Sequence, residues 1–228
     1  MHAVVVADGD APVRTALDAA WPGWADDVAL VVAADGGADA CPGLGLAPDL
    51  VVGDGDSLGP DGLDRLVRAG VPVELARVDK DESDLELALA AAVRRGADRI
   101  TVVGAFGGAR VDHELANIAL LAHPLLERVS VVLLDPRGRL SLVRAPAPDG
   151  GPVRRELPGP VGALVSLLPA GPGVDGVTTT GLRYPLRDEP LPFGPARGLS
   201  NVRTEARAGV SVRRGLLLVV ESPATLAT

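Results

Sequence analysis

Cysteine, lysine and tyrosine each occur once in this chain, and aromatic residues make up only 2% of it. With Cys41 alone, neither an intramolecular disulfide nor a cysteine-based zinc site can form. Positive charge is scarce: 22 Lys and Arg stand against 30 Asp and Glu, a formal net charge of −8. Without a basic stripe to meet phosphates, a general nucleic-acid binder or an anionic-membrane binder is excluded. A small anionic ligand stays open if a metal carries it. No stretch approaches the roughly 20 apolar residues of a membrane span. Met1–Ala7 lacks the basic start of a signal peptide, and its apolar run is too short. The expected address is cytoplasmic. Lys80 is the only lysine, every other basic side chain being arginine, so it alone offers a compact ammonium instead of a planar fork.

What is present is an ordinary globular composition, 47% hydrophobic and 23% charged over 228 residues, enough for one large domain or two small ones with a proper core. The first half repeats one pattern, an apolar β-branched run ending in Asp or Gly. Ala3–Val6 ends at Asp8-Gly9-Asp10, Val28–Ala33 at Asp35-Gly36-Gly37, and Leu50–Val52 at Gly53-Asp54. Val71–Val78 runs into Asp79-Lys80-Asp81, Ile100–Val103 into Gly104–Gly108, and Val129–Leu134 into Asp135. Runs apolar on both faces and spaced by crossovers predict a mostly parallel, Rossmann-like sheet covered by helices. Ligands of such sheets bind beyond the carboxyl ends of the strands, where the acidic and glycine-rich ends converge.

Two helices can be placed. Ser83-Asp84-Leu85-Glu86 is a capping-box pattern opening an Ala- and Leu-rich run that Gly96 terminates. A second helix is expected from near Arg110 to His123, stopped by Pro124, with Arg110, His113 and Asn117 on one face and Leu115, Ile118 and Leu121 as its apolar stripe. After Asp135 prolines and glycines crowd in and the apolar segments shorten (140–143, 163–168, 174–180, 210–212 and 216–220), which predicts an antiparallel β-sandwich or barrel. The expected division is an α/β domain over 1–138 and an all-β sandwich domain over 139–228.

Chemistry concentrates in an acidic set, Asp35, Asp54, Asp56, Asp79, Asp81 and Asp84. Asp54 and Asp56, one glycine apart at a strand end, repel each other unless a cation sits between them or one is protonated. Magnesium takes one or two carboxylates plus substrate phosphates and water, which suits Asp54, Asp56 and Asp84. The plainer reading is a set of surface-loop acids, with Asp84 only capping its helix. Gly104–Gly108 ahead of a helix start can bring backbone N–H groups to a phosphate, with Arg110 pairing to it, or can simply be a βα connection. His2 and His123 read as structural. Tyr184 lies between turn residues, where its ring can stack on a flat heterocycle or serve as a rim side chain.

Five segments in this order resemble thiamine pyrophosphokinase (thiamine diphosphokinase) over most of the chain: Ala34-Asp35-Gly36-Gly37-Ala38; Gly53-Asp54-Gly55-Asp56-Ser57; Asp79-Lys80-Asp81-Glu82-Ser83-Asp84; Gly107-Gly108-Ala109-Arg110-Val111-Asp112-His113 with Asn117; and Gly181-Leu182-Arg183-Tyr184-Pro185 with Ser200-Asn201. The resemblance implies an α/β catalytic domain, a C-terminal β-sandwich that binds thiamine, and a homodimer with thiamine between subunits. The implied reaction moves a diphosphate from ATP to the hydroxyethyl oxygen of thiamine, releasing AMP. It also implies Mg²⁺ on Asp54, Asp56 and Asp84, with Asp112 as a further catalytic residue. ATP falls to Asp35, Lys80, Asp81, Gly107, Gly108, Arg110, His113 and Asn117, and thiamine to Tyr184, Ser200 and Asn201. One departure is Gly55, where the family usually carries an aromatic residue; the smaller residue loosens the loop. Two other readings stand beside this one: diphosphate transfer to another alcohol such as 6-hydroxymethylpterin, and a non-catalytic nucleotide-binding protein.

Overall fold

The computed structural model describes residues 1–77 and 79–225, with the side chains of 224 and 225 left aside. It divides into two compact units, Met1–Pro136 and Arg137–Thr228.

In the first unit six strands form a parallel sheet: β1 (His2–Val6), β2 (Val28–Ala34), β3 (Leu50–Gly53), β4 (Val73–Leu75), β5 (Arg99–Val103) and β6 (Ser130–Asp135). Their order is β6-β5-β1-β2-β3-β4. The chain therefore runs outward from β1 to β4, then returns to β1's other flank with β5. That reversal makes the carboxyl ends of β1 and β5 the switch point at which ligands are received. Val4, Val6, Val31, Ala33, Val51 and Val103 belong to one core with Leu17, Trp24, Leu44 and Leu66. Their neighbours Val5, Val32, Val52, Ile100 and Val102 are equally buried. Burial on both faces explains why these runs do not alternate with polar residues.

The helices are α1 (Arg14–Ala20), α2 (Gly37–Ala40), α3 (Gly59–Arg68), α4 (Asp84–Arg94) and α5 (Val111–Leu120). The cap expected at Ser83 is present: its Oγ accepts from the Glu86 N–H at 3.2 Å, and Gly96 follows the helix with φ +90°. α4 lies against β1, β2 and β3, which carries Asp84 to the sheet's rim.

α5 ends at Leu120, short of the expected His123. The N–H groups of Leu121, Ala122 and His123 bond three residues back, and His123 turns extended (ψ 134°) because Pro124 disfavours the helical region before it. The expected apolar stripe is only partly covered: Leu121 is buried, whereas Leu115 is 64% exposed. The run expected over Val71–Val78 narrows to β4, and Val78 lies outside the described residues.

The second unit contains two antiparallel sheets, as expected for a sandwich. One has the order β12 (Asn201–Val202), β9 (Ala163–Pro169), β14 (Gly215–Thr225) and β7 (Gly138–Ala145). The other runs β11 (Glu189–Pro192), β10 (Gly173–Thr180), β13 (Arg207–Val212) and β8 (Val153–Pro158). Val143, Leu157, Val165, Leu167, Val177, Val210, Leu217 and Val219 form their common core. Each such side chain contributes roughly 1.5–3 kcal/mol over remaining in water. Among the described residues no helix is long and apolar enough to cross a membrane.

Candidate active site

At the switch point four strand ends meet. A cavity of ≈ 470 Å³ is lined by Asp8 and Gly9 after β1, Asp54, Asp56 and Ser57 after β3, Lys80 and Glu82 to Leu85 at the start of α4, and Gly107 to Arg110 with His113 and Asn117 from α5. Glycines let these loops come so close. A Cβ on Gly9 would lie 2.4 Å from the Gly104 carbonyl oxygen, and one on Gly36 would lie 2.2 Å from Asp8 Oδ1.

Asp35, Asp54 and Asp84 offer carboxylate oxygens that all lie within 4.8 Å of one another. Asp35 is the deepest, 2% exposed and at φ +41°. Its Oδ2 accepts from the Ser57 N–H at 3.0 Å, while its buried Oδ1 has no hydrogen-bond partner among the described residues. Burial above all pushes its pKa up to about 6. Gly53 allows this approach, since a Cβ there would stand 2.8 Å from that of Asp35. Asp54 accepts from the Asp56 N–H at 3.2 Å and from Lys80 Nζ at 3.1 Å; the Lys80 bond draws its carboxyl below the usual range.

Lys80, 11% exposed, also donates to Asp84 at 2.7 Å. Burial works against its charge, but the two carboxylates outweigh it and raise its pKa. The lone lysine thus sits on the carboxylates. An orphaned buried carboxylate oxygen facing two more carboxylates fits a hard divalent cation with oxygen preference. Asp56 lines the cavity beside the trio, its Oδ1 accepting from Ser57 Oγ at 3.3 Å.

The remaining expected residues separate. Arg110, His113 and Asn117 line the cavity from one face of α5, as their spacing predicted. Asn117 Nδ2 donates to the Ala105 carbonyl at 2.9 Å and so braces the glycine-rich loop. The Gly108 N–H is taken by Asp10 Oδ1 at 3.0 Å. Asp112 does not line the cavity; Arg110 holds it with two bonds, at 3.1 and 2.5 Å, which lower its pKa. Asp81 also lies outside the lining. Asp8 does line it, and sequence reasoning missed that role although Asp8-Gly9-Asp10 carries the same strand-end signal as Asp35 and Asp54. Burial raises the Asp8 pKa.

Tyr184, Ser200 and Asn201 lie in the second unit. The Tyr184 side chain is 54% exposed, with the Arg183 guanidinium 5.9 Å from its ring centroid. Ser200 is exposed at φ +57°, its N–H donating to Ser166 Oγ at 3.0 Å. Asn201 is buried, and its amide bonds to the Tyr184 backbone.

Two family models match: the thiamin pyrophosphokinase catalytic domain over residues 23–133 and the thiamin pyrophosphokinase vitamin B1 binding domain over 154–217. A curated relative, thiamine pyrophosphokinase of Bacillus subtilis, is 26% identical over 200 residues, spanning 88% of this chain and 90% of that one. Thiamine pyrophosphokinase 1 of Oryza sativa is 28% identical over 216 residues, spanning 86% of this chain and 80% of the other. Among solved structures, thiamine pyrophosphokinase from B. subtilis superposes with a TM-score of 0.82 over 97% of this chain and 99% of its own, at 26% identity. That from Geobacillus thermodenitrificans gives 0.81 over 100% of both chains, also at 26% identity. With both domain models in sequence and the same fold over nearly the whole length, the chain belongs to the thiamin pyrophosphokinase family.

Proposed function

We propose that this protein is a thiamine diphosphokinase, moving a diphosphate from ATP to the hydroxyethyl oxygen of thiamine with release of AMP. The observation that carries the reading is the trio Asp35, Asp54 and Asp84, with the orphaned Asp35 Oδ1, at the carboxyl-end rim of the sheet beside its switch point. These carboxylates, with Asp56 beside them, are the residues to hold Mg²⁺. When bound, the metal supplies charge neutralisation to a diphosphate passing between two oxygens. Lys80 and Arg110 meet the phosphates, and Asn117 keeps the loop that faces them in place. Transfer of this kind depends on positioning and preorganised charge, so no covalent nucleophile is required of the protein. In this reading the first unit is the ATP- and Mg²⁺-binding half, and residues 139–228 supply the thiamine side through Tyr184 and Ser200. The working form is a cytoplasmic homodimer, a state that the exposed Val111 and Leu115 on α5 support.

The test is incubation of the purified protein with ATP, MgCl₂ and thiamine, with AMP and thiamine diphosphate quantified by chromatography. Stoichiometric formation of both products is expected. Absence of AMP with thiamine, or AMP formed only with 6-hydroxymethylpterin, overturns the assignment.

A further inference from the structure

The segments Gly181–Tyr184 and Asn201–Thr204 run alongside each other in the second unit. Arg183 N–H donates to the Val202 carbonyl at 2.9 Å, Thr204 N–H to the Gly181 carbonyl at 2.9 Å, and Leu182 pairs with Arg203. At Tyr184 the backbone pairing stops and a side chain replaces it. Asn201 Nδ2 donates to the Tyr184 carbonyl at 2.7 Å, and Asn201 Oδ1 accepts from the Tyr184 N–H at 3.0 Å and from the Val202 N–H at 2.9 Å.

We propose that Asn201 is a positioning residue for thiamine: its amide clamps both backbone groups of Tyr184 and thereby fixes the direction in which that exposed ring faces the substrate. The proposal rests on the reading that Tyr184 meets thiamine. Asn201 is 6% exposed, and its amide oxygen and amide nitrogen both bond to backbone groups of its own unit, so its side chain is turned to the protein and not to a ligand. What it holds is the one tyrosine of the chain, whose ring is left largely in solvent. Pro185 restricts the Tyr184 backbone from the other side. With the backbone fixed at both groups, only the two side-chain torsions of the ring remain to be ordered on binding, and a preordered contact loses less entropy when the ligand arrives.

Because Tyr184 is the only tyrosine, ¹⁵N-tyrosine labelling of the full-length protein gives one amide resonance, and that amide is the donor to Asn201 Oδ1. In the wild type this resonance should exchange slowly with solvent and shift when thiamine is added with Mg²⁺ and a non-hydrolysable ATP analogue. In Asn201→Ala it should move and exchange faster, by at least about tenfold, while KM for thiamine rises about tenfold and KM for ATP stays within about twofold. Asn201→Asp keeps the acceptor, so slow exchange should return and KM should recover part of the way.

A Tyr184 amide that keeps its wild-type position and exchange rate in Asn201→Ala overturns the clamp. So does a KM effect of Asn201→Ala that persists undiminished in a Tyr184→Ala background. A wild-type resonance that ignores thiamine sinks the reading of Tyr184 as a thiamine contact, while the exchange comparison still decides the clamp. Where Asn201→Ala does not fold, Asn201→Asp carries the test: its lost bond to the Tyr184 carbonyl must still displace the resonance and raise KM for thiamine, and an unmoved resonance with wild-type KM overturns the proposal.

Discussion

Lys80 Nζ lies 2.7 Å from Asp84 Oδ1, one helical turn further along the chain, and bridges from there to Asp54. The ammonium therefore stands where a metal held by these carboxylates would compete with it. Lys80→Met should tighten binding of Mg²⁺ or Mn²⁺ to the nucleotide-free protein by about five- to tenfold, because the resident cation is gone. Turnover should fall by at least about tenfold for want of a charge on the phosphates. Calorimetric metal titration alongside steady-state kinetics reads both effects; weaker metal binding in the variant would contradict the competition.

Asp35→Asn removes a buried carboxylate that has one oxygen without a partner. The metal-free protein should gain about 1–2 kcal/mol. Added Mg²⁺ should raise the Tm of the wild type and leave that of the variant unchanged, with turnover largely lost. Thermal unfolding with and without MgCl₂ separates these outcomes.

His2 is buried, with Nδ1 2.9 Å from the Asp26 carbonyl oxygen and Nε2 2.9 Å from Thr101 Oγ1. Burial holds its pKa below 6.5, so the unfolded chain takes up the proton first. Its contribution to stability is therefore complete above about pH 6.5 and is lost as pH falls below it. The urea midpoint of the wild type should drop between pH 7.5 and 5.5 by more than that of His2→Asn; equal drops would remove His2 as the cause.

Gly55 sits at φ +80°, and a Cβ there would lie 3.1 Å from Leu63 Cδ1. Gly55→Ala should cost about 1–2 kcal/mol, measured by denaturant unfolding. The looseness expected of this glycine is instead a left-handed turn that a larger residue strains.

Glu221 is buried between two guanidinium groups: Arg139 Nε donates to it at 2.7 Å, and Arg203, also buried, pairs with its other oxygen. Glu221→Leu removes the carboxylate that both guanidinium groups share and should cost about 3–5 kcal/mol. Arg203→Met leaves the Arg139 pair intact and should cost clearly less. Equal losses in the two variants would mean that packing, not charge, sets the penalty.

Much of this could be read from the residues because both strand faces are buried. Six apolar runs ending in Asp or Gly located the parallel strands and the rim on which Asp54, Asp84, Arg110 and His113 gather. What stayed hidden has physical causes. Strand β8 carries Arg154, Arg155 and Glu156 in its middle, and β11 holds two prolines in four residues, so neither shows an apolar signal. Helix α3 opens on Gly59-Pro60 and contains Gly62, residues that punctuate a helix pattern. Asp35 was expected in the site but not among the metal-holding carboxylates; Gly53 leaves the space that brings it against Asp54 and Asp84, an adjacency no sequence spacing shows. Asn201 offered hydrogen bonds in sequence, but only the fold shows that its partner is Tyr184.

The glycines that draw the loops together have a consequence for experiments that infer chemistry from intolerance to mutation. Gly9, Gly37 and Gly104 would each place a new Cβ 2.3–2.5 Å from a backbone carbonyl oxygen, and Gly107 and Gly108 hold φ of +79° and +82°. A saturation scan of this chain should therefore show a dense band of intolerant positions around the cavity, most of them touching no substrate. Counting these as ligands would enlarge the apparent site well beyond the side chains that act in it.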